Sequence, residues 1–238
     1  MELYDGLIRR IEESLDPFEC RMYRYDGNCI LNESENFTML FQSDTALELG
    51  STDKHAVNLT CVTSDKNLVT EDLVRVVGAD IGDIKRSSDY ARICEVLVGD
   101  EDEGDGLSTV QAHRLLQDMD FVKFHVYPEN IMIRTSGQSS AERVRVGKKA
   151  VADGISFEKL GCTYISHYKK DPRVLAIRIT FITDPAFDYG ALKTEAALGA
   201  SVINSLSMIQ KGLPKDCDKC TISDICGEIE GLKKLHFG

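Results

Sequence analysis

Val174-Leu175-Ala176-Ile177-Arg178-Ile179-Thr180-Phe181-Ile182-Thr183 is the stretch whose reading decides the fold. β-Branched and aromatic residues alternate strongly along it, which is the pattern of a strand set in a packed sheet. It is expected to be the most central strand, and Asp184-Pro185 ends it. On its carboxyl side, Phe187 to Lys211 is rich in Ala, Leu and Ile and free of proline, which predicts one long helix. Gly212-Leu213-Pro214 terminates that helix.

On the amino side, Phe157 to Tyr168 is compatible with either helix or strand. Gly147 to Asp153 reads as a basic helical turn closed by Gly154. Further strands are expected at Ile131–Arg134, Val144–Val146, Tyr90–Val98, Leu73–Gly78, Val57–Val62 and Phe37–Phe41. Leu107 to Met119 reads as a helix capped by Ser108 or Thr109, and Leu3, Leu7, Ile8, Ile11 and Leu15 mark an amphipathic opening helix that stops at Pro17. Between them, Cys20–Tyr25, Asp26-Gly27 and Asn28–Leu31 have the composition of a tight hairpin, with Cys20 and Cys29 facing across it as core thiols, the alternative being a metal-binding pair. The acidic run Gly99–Gly106 is expected to be a solvated loop, since it lacks the glycine and closing glutamate of a calcium hand. Helices bracketing short-linked strands imply an α+β fold with a mostly antiparallel sheet, flanking helices and a cysteine-rich carboxyl-terminal loop. The expected organisation is residues 1–45 as helix and hairpin, 46–186 as the core, and 187–238 as helix and cysteine loop.

At 238 residues with 42% hydrophobic content, the chain can build a core without disulfide staples. A formal net charge of −11 argues against nucleic acid and anionic membrane as partners, because both would be repelled. No apolar run reaches the length of a membrane span and no export signal follows Met1, so a cytoplasmic, reducing setting is expected.

That setting gives weight to Cys217-Asp218-Lys219-Cys220-Thr221-Ile222-Ser223-Asp224-Ile225-Cys226, which holds three of the eight cysteines. Two thiolates separated by two residues can bind one metal or one cluster edge, and a third five residues on completes most of a shell. Zinc and iron–sulfur clusters both suit such a ligand set. The bland alternative is reduced surface cysteines or a disulfide pair with one left over, but the acidic, polar loop is unlike the apolar setting of idle cysteine. A four-iron cluster takes four protein ligands, so the fourth is sought elsewhere: Cys162 first, His236 as the fallback, or an iron left open.

A second motif is basic. Arg143, Arg145, Lys148 and Lys149 are grouped near Gly137-Gln138 and could hold the phosphates of an anionic ligand such as coenzyme A; a solvated helix face is the alternative. His55, His113 and His125 have no partner at ligand spacing. His167 lies close to Cys162 in sequence, which is not the geometry of a catalytic dyad. No Ser–His–Asp set or Walker-type loop is present.

Four stretches resemble a known family. Glu48-Leu49-Gly50, Val77-Gly78-Ala79-Asp80-Ile81, Gly137-Gln138 with Val144 to Gly154 at matching distance, and Phe181-Ile182-Thr183-Asp184 are similar to segments of the acetyl-CoA synthase (β) subunit of the carbon monoxide dehydrogenase complex. The resemblance covers roughly residues 46 to 226, its middle domain and the start of its metal domain. It implies that fold for residues 46–186, a tie to one-carbon metabolism in anaerobes, and a four-iron four-sulfur site in which Cys217 and Cys220 match the opening pair and Cys226 the next ligand at shorter spacing. Within these residues the chain departs from the family pattern in having no Cys-Gly-Cys nickel seat and Ser139-Ser140 where the family has Arg-Asp.

The expected function is therefore an iron–sulfur accessory or electron-transfer protein docking on carbon monoxide dehydrogenase or another redox complex, and not an acetyl-CoA synthase on its own. The competing readings are a coenzyme A-binding or acyl-transfer enzyme and a structural zinc protein.

Overall fold

The long alternating stretch forms β9 (Val174–Ile182), the third strand of a five-stranded sheet. Its neighbours are β4 (Leu73–Val77), which runs parallel to it, and β6 (Tyr90–Val98), which runs antiparallel. β1 (Cys20–Arg24) pairs antiparallel with β4 at one end, and β3 (Ala56–Thr63) pairs parallel with β6 at the other. A second, four-stranded sheet orders β5 (Ser87–Ser88), β2 (Thr45–Leu49), β8 (Ala141–Gly147) and β7 (Ile131–Ser136). The structure, a computed structural model, describes residues 2–99, 108–229 and 231–237. The expected acidic loop lies outside them from Asp100 onward.

The fold is α+β, but the sheets are mixed where a mostly antiparallel sheet was expected. The physical reason is connectivity. Only β7 and β8 are joined by a short hairpin loop, whereas the other spatial neighbours are distant in sequence, so nothing forces them antiparallel.

Both faces of the five-stranded sheet are covered. Leu59, Ile93, Thr180 and Arg75 are register partners on one face, where Gly199 of α5 (Tyr189–Gln210) packs on Leu59 and Glu12 of α1 (Asp5–Leu15) pairs with Arg75. Thr60, Cys94, Ile179 and Val74 share the other face, where Gly161 of α4 (Phe157–Tyr168) sits against Val74 and Phe181. Double coverage explains why β6 is buried along its whole length.

α2 (Thr109–Phe121) begins with the expected Ser108 cap, reinforced by Gln111 in a capping box, and packs on α5. α3 (Lys148–Ala152) is the expected basic turn, and Gly154 follows it at φ +71°. One contiguous buried cluster draws on Leu3, Leu49, Phe181 and Leu232 alike.

Two local expectations fail. Residues 28–31 form no strand: β1 pairs with β4 instead, with Cys20 opposite Val77, while Asp26 and Gly27 still make a turn closed by the Asn28 amide on Asp26 Oδ1. The segment beyond is drawn onto α4, where the Leu31 amide donates to Thr163 Oγ1 and Cys29 is disulfide-bonded to Cys162. Phe37–Phe41 is also not a strand; Phe37, Met39 and Phe41 are exposed. No helix of the described residues is long and apolar enough to cross a membrane.

Candidate functional site

The cysteine loop hangs from the end of α5, after Gly212 at φ +88° has turned the chain. Asp216 caps a single 3-10 turn, Cys217–Lys219, by accepting the Asp218 amide, and Cys220 follows immediately. α6 (Ser223–Glu228) packs on α5 and carries Cys226 inward. The three sulfurs thus grade from exposed Cys217 through half-buried Cys220 to buried Cys226. Burial, and then the nearby Cys220 and Cys217 sulfurs, push the Cys226 thiol above its ordinary range, so the three are electrostatic neighbours. They do not converge as a coordination shell: among the described residues no three His, Cys, Asp or Glu side chains form a metal-holding group.

The fourth ligand sought in Cys162 is not supplied here. Its sulfur is bonded to Cys29, and it lies on α4, across the central sheet from α5 and the loop. His236, in α7 (Leu232–Phe237), is buried with its Nε2 3.5 Å from the Leu213 carbonyl and its ring against Phe237.

The basic group is also divided. Gly137 and Gln138 lie in the turn before β8, whereas Lys148 and Lys149 lie beyond its far end; seven strand residues separate them by roughly 20 Å. Arg145 is paired with Glu48 at 2.7 Å, and Lys148 Nζ donates to the Ser43 carbonyl.

The β7–β8 register adds a residue that the sequence reading missed. Arg134 stands directly opposite Arg143, and both are exposed. Facing like charges repel, which makes that outer face receptive to an anion. Drawing the hairpin register back from the Ser136–Ala141 turn would have found the pair.

Between the two sheets lies a buried ionic cluster that the sequence reading also missed. Arg92 and Glu142 are wholly buried and joined by a two-pronged salt bridge, Arg92 Nε reaching Glu142 Oε1 at 2.7 Å. Tyr90 OH and Thr135 Oγ1 donate to the same carboxylate, Arg92 Nη1 lies 2.9 Å from Cys94 Sγ, and the Arg92 guanidinium stacks over Tyr164. Apart from the buried Tyr164 hydroxyl, which has no hydrogen-bond partner, the polar groups hold one another, which is the arrangement of a structural clamp between layers.

The family model for the CO dehydrogenase/acetyl-CoA synthase complex beta subunit matches residues 37–187, more than half of the chain. No curated protein matches. The matched span takes in β2 through β9 and stops short of the cysteine loop.

Proposed function

The chain belongs to the CO dehydrogenase/acetyl-CoA synthase complex beta subunit family, and from that premise we propose that it is an accessory or electron-transfer protein whose cysteine loop binds one four-iron four-sulfur cluster. The observation that carries this reading is the placement of Cys217, Cys220 and Cys226 on one short polar segment at the end of α5. A ligand set that is gathered but not closed fits a site in which metal binding completes the local fold. The cluster would supply one-electron chemistry; the chain would supply three soft thiolates and a route to solvent through Cys217.

Membership of a family of complex subunits supports a protein partner. The exposed aromatic strip of Phe37, Phe121 and Phe124, beside a groove of about 300 Å³ lined by Phe37 and Phe124, is a surface of the kind such a partner covers.

Iron and sulfide analysis with an absorption spectrum, on protein purified without oxygen, tests the reading. Iron with sulfide is expected, and Cys220→Ser is expected to remove most of the cluster absorption. One zinc and no iron would replace this reading with the structural zinc one. Acetyl-CoA formation from a methyl donor, carbon monoxide and coenzyme A is expected to be absent with nickel supplied; turnover would overturn the accessory assignment.

A second reading rests on the Arg134–Arg143 pair, which favours an anionic ligand such as coenzyme A on the outer face of β7 and β8. Calorimetric titration with coenzyme A tests it. Arg143→Ala is expected to weaken binding by about tenfold or more, the loss of one charge-assisted contact of about 1.5–3 kcal/mol.

A further inference from the structure

The chain holds one disulfide and six free cysteines, and the disulfide joins two unlike environments. Cys162 is 0% exposed inside α4. Cys29 is half-buried on the irregular segment after β1 and lines a cavity of about 240 Å³. Asn28, Asn32, Asn130, Lys159, Glu129 and Asp153 are among the residues that line that cavity, with Lys159 Nζ donating to the Gly154 carbonyl. At about 30 Å³ per water the cavity has room for about eight waters, which is ample for a small organic molecule. Its lining offers hydrogen-bond donors and acceptors and both signs of charge, which suits a short polar or zwitterionic tail.

We propose that the Cys29–Cys162 bond is a thiol-exchange site, in which a small polar thiol held in this cavity attacks the Cys29 sulfur and releases Cys162. Exchange goes through the more accessible sulfur, and of the two bonded cysteines Cys29 lines the cavity while Cys162 is fully buried. The incoming thiolate forms a new sulfur–sulfur bond to Cys29 while the Cys29–Cys162 bond breaks. The electron pair leaves on the Cys162 sulfur, which takes the proton given up by the thiol, because burial favours the neutral form. Attack by a second thiol on the mixed disulfide frees Cys29, so two thiols are oxidised to one small disulfide as the protein disulfide is reduced to two cysteines. In reverse, Cys162 attacks the mixed disulfide and expels the small thiol. The other six cysteines are unpaired, so this one bond is not part of a wider disulfide framework.

Other contacts hold the segment when the bond opens. The Leu31 amide remains on Thr163, and Glu33 remains paired with His167 Nε2 at 2.7 Å and with the Tyr127 amide. The exchange is thus expected in the folded protein.

The experiment uses the full chain, L-cysteine and L-cystine, with peptide mass mapping after rapid alkylation under native conditions. Protein purified without reductant is expected to show the Cys29–Cys162 linkage. Native Cys162→Ser treated with L-cystine is expected to carry one cysteine adduct on Cys29, whereas Cys29→Ser is expected to carry none on Cys162. Wild-type protein pulsed with L-cysteine supplies the same readout without a substitution: the mixed disulfide is expected on Cys29. Two free thiols in the protein as purified, equal labelling of both positions, or exchange only in denaturant would each overturn the proposal.

Discussion

Glu142 shows what a single buried charge does in this molecule. It receives Arg92, Tyr90 and Thr135, and its own side chain and that of Arg92 are fully buried. Glu142→Gln leaves the Arg92 charge buried without its counter-charge, which is expected to cost about 3–5 kcal/mol in urea unfolding. Replacing Arg92 and Glu142 together by apolar residues of similar volume is expected to recover most of that loss, because the charge needing compensation is gone.

A surface pair gives the pH dependence. Hydrogen bonds from Arg173 hold the Asp171 carboxyl below its ordinary range, and burial opposes this only in part. A depressed folded-state value stabilises the protein fully above the unfolded value of about 3.9 and is lost as pH falls through the folded value. Asp171→Asn is therefore expected to lower stability at pH 7 and to flatten the decline below about pH 4, measured by chemical unfolding across pH.

Among the elements, α4 carries the clearest conflict between local preference and packing. Glycine in a helix interior is unfavourable, so Gly161→Ala would ordinarily add about 1 kcal/mol. Here an added methyl would lie 2.6 Å from both Val74 methyls and 3.2 Å from Phe181. The close approach of helix to sheet outweighs the propensity, and a net loss of about 1–2 kcal/mol is expected in thermal or urea unfolding. α1 is fixed by charge as well as by its apolar stripe. Glu12 reaches Arg75 at 2.6 Å and lies 3.2 Å from Arg178 Nη2, and both arginines also approach the buried Glu95. Burial raises Glu95 above its ordinary range despite those arginines, and Glu95 Oε1 has no hydrogen-bond partner.

For the molecule as a whole, the carboxyl-terminal residues are part of the core. Ile222, Ile229 and Leu232 are buried in the same cluster as α1 and α5, Thr109 Oγ1 donates to the Leu235 carbonyl, and Lys234 pairs with Glu2. Ending the chain at Lys211 would expose three large apolar side chains' worth of contact, each worth about 1.5–3 kcal/mol when fully buried. The shortened chain is expected to unfold at a clearly lower urea concentration and to bind a hydrophobic dye; an unchanged midpoint would show that the cysteine loop is an independent appendage.

What the sequence by itself determined was what local spacing and composition encode. The 174–183 alternation is the central strand, the 187–211 composition is α5, Ser108 is a cap, Gly154 closes α3, and the short motifs within 46–184 carry the family. The three neighbouring cysteines were legible for the same reason, since ten residues of chain keep them close whatever the fold. Only the tertiary structure decided which distant pieces meet. It made the sheets mixed by placing non-consecutive strands side by side, sent Cys29 to Cys162 across 133 positions, set Arg134 opposite Arg143, and joined Arg92 to Glu142 between layers. Those outcomes depend on register and on which face each layer covers, and neither is written in the spacing of any one segment.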